Sequence, residues 1–320
     1  MNILITGSNG FLGSYLSNYL SKWHNVISLV RSRKDISIHN DNVQYIICDL
    51  RNKELLMNKL DKIDLDVVIH LAAITKNRIN SSFNENIVIT KNLLDCIKDK
   101  KIKQFVYTST CGVYGDVDLN KVKEPIDEDY QCYPNYDYTI SKFRCEKILK
   151  NYANQYSFNY TTLRLSVIYD MKTCPFSELL NFVKSTKIIP LINSGKNYIQ
   201  PISISDVKRV FRLIVNNSES FNETFNLSGP KPIRFVNLIR LMENELGLKR
   251  YKINIPLKFA LFILGLSGLV ELLGFKTIFN KDKLKRVCEN SYYNTSKIED
   301  LLNIKMESPN EGIRNIIRNS

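Results

Sequence analysis

The sequence predicts an α/β fold in which a doubly wound parallel sheet carries a smaller C-terminal lobe. Short apolar, β-branched runs alternate with amphipathic helical segments through the first half of the chain, an order typical of parallel sheets with helices on both faces. The 320 residues, 44% of them hydrophobic, suffice for a large core. We expect a first domain over 1–168 and a mixed α/β lobe over 169–320, with some chain exchange between the lobes.

Each predicted strand is a short apolar run, and each predicted helix shows apolar residues at helical spacing. The first strand contains Ile3 to Ile5, and Phe11, Leu16 and Leu20 mark the helix that follows. Later strands are predicted at 25–30, 43–47, 66–73, 104–109 and 160–165. Later helices are predicted at 84–98 and 135–156. Beyond Tyr169 the alternation is less regular and prolines interrupt short elements.

The composition argues against nucleic-acid binding and against a metal site. The formal net charge is +13, but the densest basic runs, 98–103 and 281–286, contain no interleaved aromatic residues, which is typical of a solvated surface. Seven cysteines without a C-x-x-C pair, together with only three histidines, predict reduced thiols and no metal centre. The chain starts with a strand instead of a secretory signal, so we expect a cytoplasmic protein.

One apolar segment, 257–275, approaches the length of about 20 residues that a transmembrane helix requires. It also contains Glu271, Ser267 and three glycines. Three interpretations remain open: a buried or partner-facing helix of the second lobe, a peripheral contact at the inner face of a membrane, and a true span.

The turn after the first strand has the composition of a phosphate-binding site. Gly7, Gly10 and Gly13 lie between an apolar strand and an amphipathic helix. Small residues there let backbone N–H groups at the helix start approach phosphate oxygens. The spacing is G-x-x-G-x-x-G instead of G-x-G-x-x-G, so a plain strand-to-helix turn is the alternative.

A tyrosine and a lysine four residues apart are the candidate catalytic pair. On a helix, Tyr138 and Lys142 share one face, and an ammonium beside a phenol favours the phenolate needed for proton transfer. Hydroxyls at 108–110 emerge at the carboxyl end of a parallel strand, where open α/β sheets bind ligands. The alternatives are a surface pair on the helix and simple capping at the strand end.

These features occur in the order seen in one enzyme family. The chain resembles the extended short-chain dehydrogenases/reductases, in the branch of NAD(P)-dependent nucleotide-sugar epimerases and dehydratases. The matching motifs are Thr6-Gly7-x-x-Gly10-x-x-Gly13, Asp49-Leu50, His70-Leu71-Ala72-Ala73, Asn86, Thr108-Ser109-Thr110-x-x-Val113-Tyr114-Gly115 and Tyr138-x-x-x-Lys142. The resemblance covers nearly the whole length and implies a Rossmann-type first domain with a substrate-binding second lobe.

The resemblance also implies roles for individual residues. Tyr138 transfers the proton, Lys142 holds the nicotinamide ribose, and Thr110 matches the catalytic Ser or Thr. The implied cofactor-binding residues are Gly7, Gly10, Phe11, Leu12, Gly13, Arg31, Asp49, Leu50, Leu71, Ala72, Ala73, Asn86, Tyr138 and Lys142.

The chain departs from the family pattern at positions that bear on the reaction. Cys111 and Gly112 replace the acidic residues of the dehydratase branch, which disfavours dehydration. Arg31 or Arg33 stands where NAD-binding members have an acidic residue, which favours NADP over NAD. In the second lobe, Lys196, Arg209 and Arg286 are candidates for contacts with the substrate diphosphate.

The leading hypothesis is a C4 epimerase of nucleotide sugars that acts in surface polysaccharide precursor synthesis. An NADPH-dependent 4-keto-sugar reductase is the alternative, and a non-catalytic nucleotide-sensing protein is the second alternative. The apolar segment and the positive charge would also suit a lipid-linked sugar substrate. A homodimer is expected.

Overall fold

The computed structural model describes residues 1–32, 42–75, 82–119, 122–171, 174–265 and 288–318. Its strands are β1 (Asn2–Thr6), β2 (Asn25–Val30), β3 (Val43–Ile47), β4 (Val67–His70), β5 (Gln104–Thr110), β6 (Asn159–Leu165), β7 (Ile168–Tyr169), β8 (Ile188–Ile192), β9 (Tyr198–Ile199), β10 (Ile202–Ser203), β11 (Glu223–Leu227), β12 (Ile233–Arg234) and β13 (Tyr251–Ile255). Its helices are α1 (Phe11–Leu20), α2 (Lys53–Leu60), α3 (Glu85–Ile97), α4 (Asp137–Tyr156), α5 (Pro175–Ser185), α6 (Ile204–Ile214), α7 (Phe235–Glu245), α8 (Leu257–Gly265), α9 (Ser296–Leu302) and α10 (Pro309–Arg318).

A parallel sheet of seven strands in the order β11-β6-β5-β4-β1-β2-β3 forms the centre of the molecule. Successive residues of β1 enter two different cores. Ile3 and Ile5 pack with α1 and α6 on one face, whereas Leu4 packs with α3 and α4 on the other. Because helices cover both faces, the strands β1, β2 and β4 are largely apolar. The predicted doubly wound α/β fold is confirmed.

Most predicted elements of the first half lie within a few residues of the observed ones. The strands β2 and β3 have the predicted bounds, while β4 ends at His70 instead of residue 73. The chain leaves the sheet there because the Ala72 N–H turns back and donates a hydrogen bond of 3.3 Å to the Thr6 hydroxyl. The long helix α4 begins at Asp137, two residues after its predicted start.

The edge strand β11 comes from beyond residue 168 and pairs in parallel with β6. The helix α6, also from the second part of the chain, packs on the same sheet through Val207 and Phe211. Residues 169–320 therefore contribute to the central layers as well as to their own lobe. The domain boundary at residue 168 itself stays a prediction.

The second lobe is built from short elements around one core. Two-stranded sheets pair β7 with β10, β9 with β12 and β8 with β13. The helices α5, α7 and α10 contribute Leu180, Leu238 and Ile313 to the shared core. No helix in the described part of the chain is both long and apolar enough to cross a bilayer. Of the apolar segment predicted at 257–275, residues 266–275 lie outside the described ranges.

Candidate active site

The turn between β1 and α1 has room only for glycine at two positions. Gly7 has a positive φ of 68°, and a Cβ on it would lie 2.7 Å from the Ala72 nitrogen. A Cβ on Gly13 would lie 2.2 Å from the Gly7 oxygen. Both distances are much shorter than van der Waals contact. Because glycine has no side chain, α1 and the loop after β4 can approach the turn closely.

The start of α1 is arranged to receive an anion. The Gly10 N–H closes the turn through a 2.9 Å bond to the Gly7 oxygen, and Gly10 precedes the helix without a side chain that would cap it. The first N–H groups of any helix lack partners within the helix. Here they belong to Phe11, Leu12 and Gly13, and together with the helix dipole they fit a pyrophosphate.

The loop after β4 is held in place by a buried amide. Asn86 on α3 accepts a 2.7 Å hydrogen bond from the Ile74 N–H and donates one of 3.2 Å to the Ile74 oxygen. Its amide nitrogen also donates to the Ser141 hydroxyl at 3.0 Å. Asn86 thus links the loop after β4, at Ile74, to the helix α4. These contacts give Asn86 a positioning role in the structure.

Charged groups meet where β2 and β3 end side by side. Arg31 follows β2 and is exposed, and Asp49 follows β3. The Asp49 carboxylate pairs with Arg51 at 2.7 Å, and the hydrogen bonds from Arg51, together with the charge of Arg31, lower its pKa. Sequence reasoning missed Arg51, although an arginine two residues after an aspartate is a recognisable local pair. Arg33 lies outside the described residues.

The histidine of the His70-Leu71-Ala72-Ala73 motif is structural. His70 is fully buried, with Nδ1 2.7 Å from the Thr6 hydroxyl and Nε2 3.0 Å from the Thr90 hydroxyl. Because Thr90 donates its own proton to the Asn86 carbonyl, Nε2 must carry the hydrogen of the ring. Burial, with the charge of Lys142, lowers the pKa of His70 to about 3, so the ring is neutral.

Lys142 is a buried cation whose charge the described residues do not balance with an ion pair. Its side chain lies on α4 with 2% of its surface exposed. The ammonium sits 4.3 Å from the centre of the Tyr107 ring, and burial lowers its pKa to about 8. A buried ammonium that forms no hydrogen bond with the described residues fits the hydroxyls of a ribose. Tyr107 lies within the strand predicted at 104–109, and periodicity gives no indication of its contact with Lys142.

Tyr138 lies one helical turn before Lys142, as predicted. Its half-buried ring packs edge-on against Phe83, with ring centres 5.8 Å apart. Its neighbour Thr139 contacts the turn that follows β5, because a Cβ on Gly112 would lie 2.9 Å from the Thr139 methyl group. The structure therefore brings the turn that contains Thr110 against the first turn of α4.

The end of β5 carries the hydroxyls of Ser109 and Thr110 and lies near the contact between the following turn and α4. The Thr110 hydroxyl caps the turn by accepting a 3.2 Å bond from the Gly112 N–H. The Ser109 hydroxyl is buried and has no hydrogen-bond partner among the described residues. Cys111 is also buried, donates to the Arg164 carbonyl oxygen at 2.9 Å, and has a thiol pKa that burial raises.

The substrate-contact candidates of the second lobe have different surroundings. Lys196 is exposed and follows the turn Asn193–Gly195. Arg209 is bound to the Asp206 carboxylate at 2.8 Å and to the Lys305 carbonyl oxygen. Arg286 lies outside the described residues. Lys196 and Arg209 form no hydrogen bond with each other, so their roles stay predictions.

Comparison with known proteins identifies the family to which the chain is similar. The model of the NAD dependent epimerase/dehydratase family matches residues 3–228. The dTDP-D-glucose 4,6-dehydratase of Dictyostelium discoideum is 30% identical over 247 residues, which is 69% of this chain and 56% of that protein. The uncharacterized UDP-glucose epimerase YtcB of Bacillus subtilis is 25% identical over 268 residues, 78% of this chain and 83% of that protein.

Solved structures show the same fold. The UDP-glucose 4-epimerase of Thermotoga maritima with UDP-glucose superimposes with a TM-score of 0.77 at 21% identity, over 99% of this chain and 98% of that one. The UDP-glucuronic acid 4-epimerase of Bacillus cereus, in complex with UDP-glucuronic acid and NAD, gives 0.77 at 22% identity, over 100% and 99% of the two chains. At these identities the likeness concerns the fold.

Proposed function

The chain belongs to the NAD dependent epimerase/dehydratase family, and we propose that it epimerises a nucleotide sugar at C4. The observation that supports this most directly is the pair on α4. Lys142 is buried without an ion pair among the described residues, and Tyr138 lies one helical turn before it, next to the Thr139 that contacts the turn after β5. The glycine turn supplies the matching phosphate site. Nucleotide sugars are named for several relatives, and we infer the same substrate class here.

Each protein group has a separate part in the proposed reaction. The Lys142 ammonium would hold the nicotinamide ribose and keep positive charge near the tyrosine. The Tyr138 phenolic oxygen would take the proton of the C4 hydroxyl during oxidation and return it during reduction, while Thr110 would hold that hydroxyl. When bound, the nicotinamide supplies the hydride acceptor and donor.

The turn after β5 argues against dehydration. That reaction needs a further acid and base, and the family's dehydratase branch carries them at the positions of Cys111 and Gly112. The Cys111 thiol is buried and bonded to a carbonyl oxygen, and any side chain at Gly112 would meet Thr139. Neither position offers a carboxyl group. We therefore favour epimerisation, although several of the relatives are named as 4,6-dehydratases.

The choice between NAD and NADP rests on Arg31. An acidic residue at the end of β2 would accept the ribose hydroxyls of NAD, whereas an arginine can pair with a 2′-phosphate. Arg31 is exposed and close enough to Asp49 to lower the pKa of that carboxyl. We propose that the site accepts NADP, and this feature favours the alternative function, an NADPH-dependent 4-keto reductase.

The deciding experiment measures the cofactor and the sugar together. The purified chain is dialysed, its retained nicotinamide is quantified, and UDP-glucose is then added while sugar products are separated by chromatography. An epimerase converts the sugar without net use of cofactor. If the purified protein contains no cofactor and oxidises one NADPH for each 4-keto sugar that it reduces, it is a reductase. Nucleotide binding without conversion of any nucleotide sugar would support the non-catalytic alternative.

We also propose the setting in which the enzyme works. Its products would enter the synthesis of surface polysaccharide precursors in the cytoplasm, and the chain would act as a homodimer. The apolar segment 257–275 would give peripheral contact with the inner face of the membrane, which would suit a lipid-linked sugar. Sedimentation of the purified chain tests the dimer, and cell fractionation tests the location.

A further inference from the structure

The two-stranded sheet of β8 and β13 has an apolar face on its outer side. Ile188 and Tyr251 are register partners, and Tyr251 is 78% exposed. The next residues on the same face are Pro190 and Ile253, which are also exposed. The opposite face carries Ile189, which packs in the lobe's core. A surface sheet normally has polar residues on its outer side, so this face departs from the usual pattern.

The helix α8 extends this apolar face. It begins two residues after β13 ends, and its Phe259 and Phe262 are 56% and 63% exposed. Residues three apart lie on one side of a helix, so the two rings project together. Ala260, on another side of the helix, is buried. We define the outer face as Ile188, Pro190, Tyr251, Ile253, Phe259 and Phe262.

The two segments that carry the outer face are basic. The segments 183–192 and 246–265 contain six lysines and arginines and no acidic residue. Two of the six are engaged: Lys252 pairs with Glu243, and Arg250 donates to backbone carbonyl oxygens. The remaining four are exposed and form no ion pair with any described residue. These four are Lys184, Lys187, Lys249 and Lys258.

We propose that the outer face docks on the surface of an anionic lipid bilayer. Exposed aromatic and aliphatic side chains would enter the boundary between headgroups and acyl chains, and the four lysines would meet the anionic headgroups. A second copy docked through the same face would bring two basic rims together, which opposes that arrangement. The proposal rests on the membrane contact proposed above for 257–275 and assigns that contact to a defined face. It concerns residues outside the active site, so it holds for either reaction proposed above.

The test is flotation of the full chain with vesicles of phosphatidylcholine, with and without added phosphatidylglycerol. We expect flotation on the anionic vesicles, weaker flotation on the neutral ones, and loss of binding at high salt. The double variant Phe259→Ser/Phe262→Ser and the double variant Tyr251→Ser/Ile253→Ser should each lower the partition by more than about tenfold. Lys249→Glu/Lys258→Glu should abolish the preference for anionic vesicles.

Matched controls replace equally exposed residues elsewhere. Met57→Ser/Val88→Ser removes two exposed apolar side chains from the first domain, and Lys62→Glu/Lys101→Glu reverses two exposed lysines there. Both should float like the wild type. Equal flotation of all variants, or no flotation of the wild type, would overturn the proposal. So would sedimentation showing that the outer-face variants convert a dimer to monomers while vesicle binding is absent in every sample.

Discussion

The glycine turn and the second lobe position their candidate binding residues in different ways. At the turn, backbone atoms set the limits: a Cβ on Gly13 would overlap the Gly7 oxygen, and a Cβ on Gly7 would overlap Ala72. In the second lobe the candidate cations depend on side-chain partners, as Arg209 does on Asp206, or stand exposed, as Lys196 does. Backbone limits restrict the residue type strongly, whereas ion pairs at a surface restrict it weakly.

The largest expected effect tests whether the candidate pair on α4 carries out the chemistry for the cofactor that the glycine turn would bind. Tyr138→Phe removes the proposed proton carrier and should lower kcat by about 10²–10⁴ while nicotinamide binding stays near the wild-type value. Tyr133→Phe is the matched control, because Tyr133 is exposed and five positions upstream. Steady-state rates and cofactor titration measure both variants. Unchanged turnover in Tyr138→Phe would remove the tyrosine from the mechanism.

A methyl group should cost more stability at Gly13, where the backbone is close, than at a glycine with free space around it. Gly13→Ala must displace the Gly7 carbonyl, 2.2 Å from the new Cβ, and should cost about 2–4 kcal/mol of unfolding free energy together with cofactor affinity. Gly247→Ala is the control: its positive φ imposes backbone strain, but nothing lies within 4 Å of its Cβ, so about 1 kcal/mol is expected. Urea unfolding compares them. Equal costs would show that the close approach at Gly13 is unimportant.

Lys142 makes the stability of the cofactor-free protein depend on pH. Burial lowers its pKa to about 8 in the folded state from an ordinary value of 10.5, so between these pH values the unfolded chain binds more protons. The Lys142 contribution to the unfolding free energy therefore rises with pH in this window, by up to about 3 kcal/mol.

The variant Lys142→Met isolates that contribution from other groups that titrate in the same range. Methionine has a similar length and no charge, so the variant should be more stable than the wild type near pH 7. That advantage should shrink as the pH rises from about 8 to about 10.5. Urea unfolding at several pH values measures the difference. A difference that does not change with pH would mean that Lys142 is not a destabilising buried cation.

The sequence was sufficient for those parts of the molecule that depend on local pattern. The strands β2 and β3 were predicted with their bounds, because continuous apolar runs are required when both sheet faces are covered. Helical spacing placed Tyr138 and Lys142 on one face of a helix, and the family resemblance singled them out as a catalytic pair. Gly7 and Gly13 were recognised from the turn they occupy.

Other features depend on residues far apart in the chain and could not be predicted. The stacking of Lys142 on Tyr107 joins a helix to a strand 35 positions earlier, and the contact of Gly112 with Thr139 joins two separate elements. The place of β11 beside β6 depends on sheet pairing across 62 residues. Periodicity gives no information about any of these contacts, since it describes one element at a time.

A smaller effect is expected at the adenosine end of the cofactor site. Arg31→Asp replaces the proposed partner of a 2′-phosphate with an acceptor for ribose hydroxyls. The ratio of NADP to NAD affinity should fall by about tenfold, consistent with the loss of one exposed charge-assisted contact. Arg51→Ala is the comparison, because Arg51 pairs with Asp49 and should affect both cofactors equally. A ratio that Arg31→Asp leaves unchanged would favour NAD as the cofactor.

The smallest effects concern the two cations of the second lobe. They test whether an exposed cation binds substrate while an ion-paired cation only stabilises the fold. Lys196→Ala should raise KM by about three- to tenfold with normal stability, because an exposed ammonium is available to a diphosphate. Arg209→Ala should leave KM unchanged and lower the unfolding free energy by about 1 kcal/mol, because its guanidinium is already bound to Asp206. If Arg209→Ala instead raised KM without loss of stability, Arg209 would bind substrate despite its ion pair with Asp206. An ion pair would then not distinguish a structural cation of this lobe from one that binds substrate.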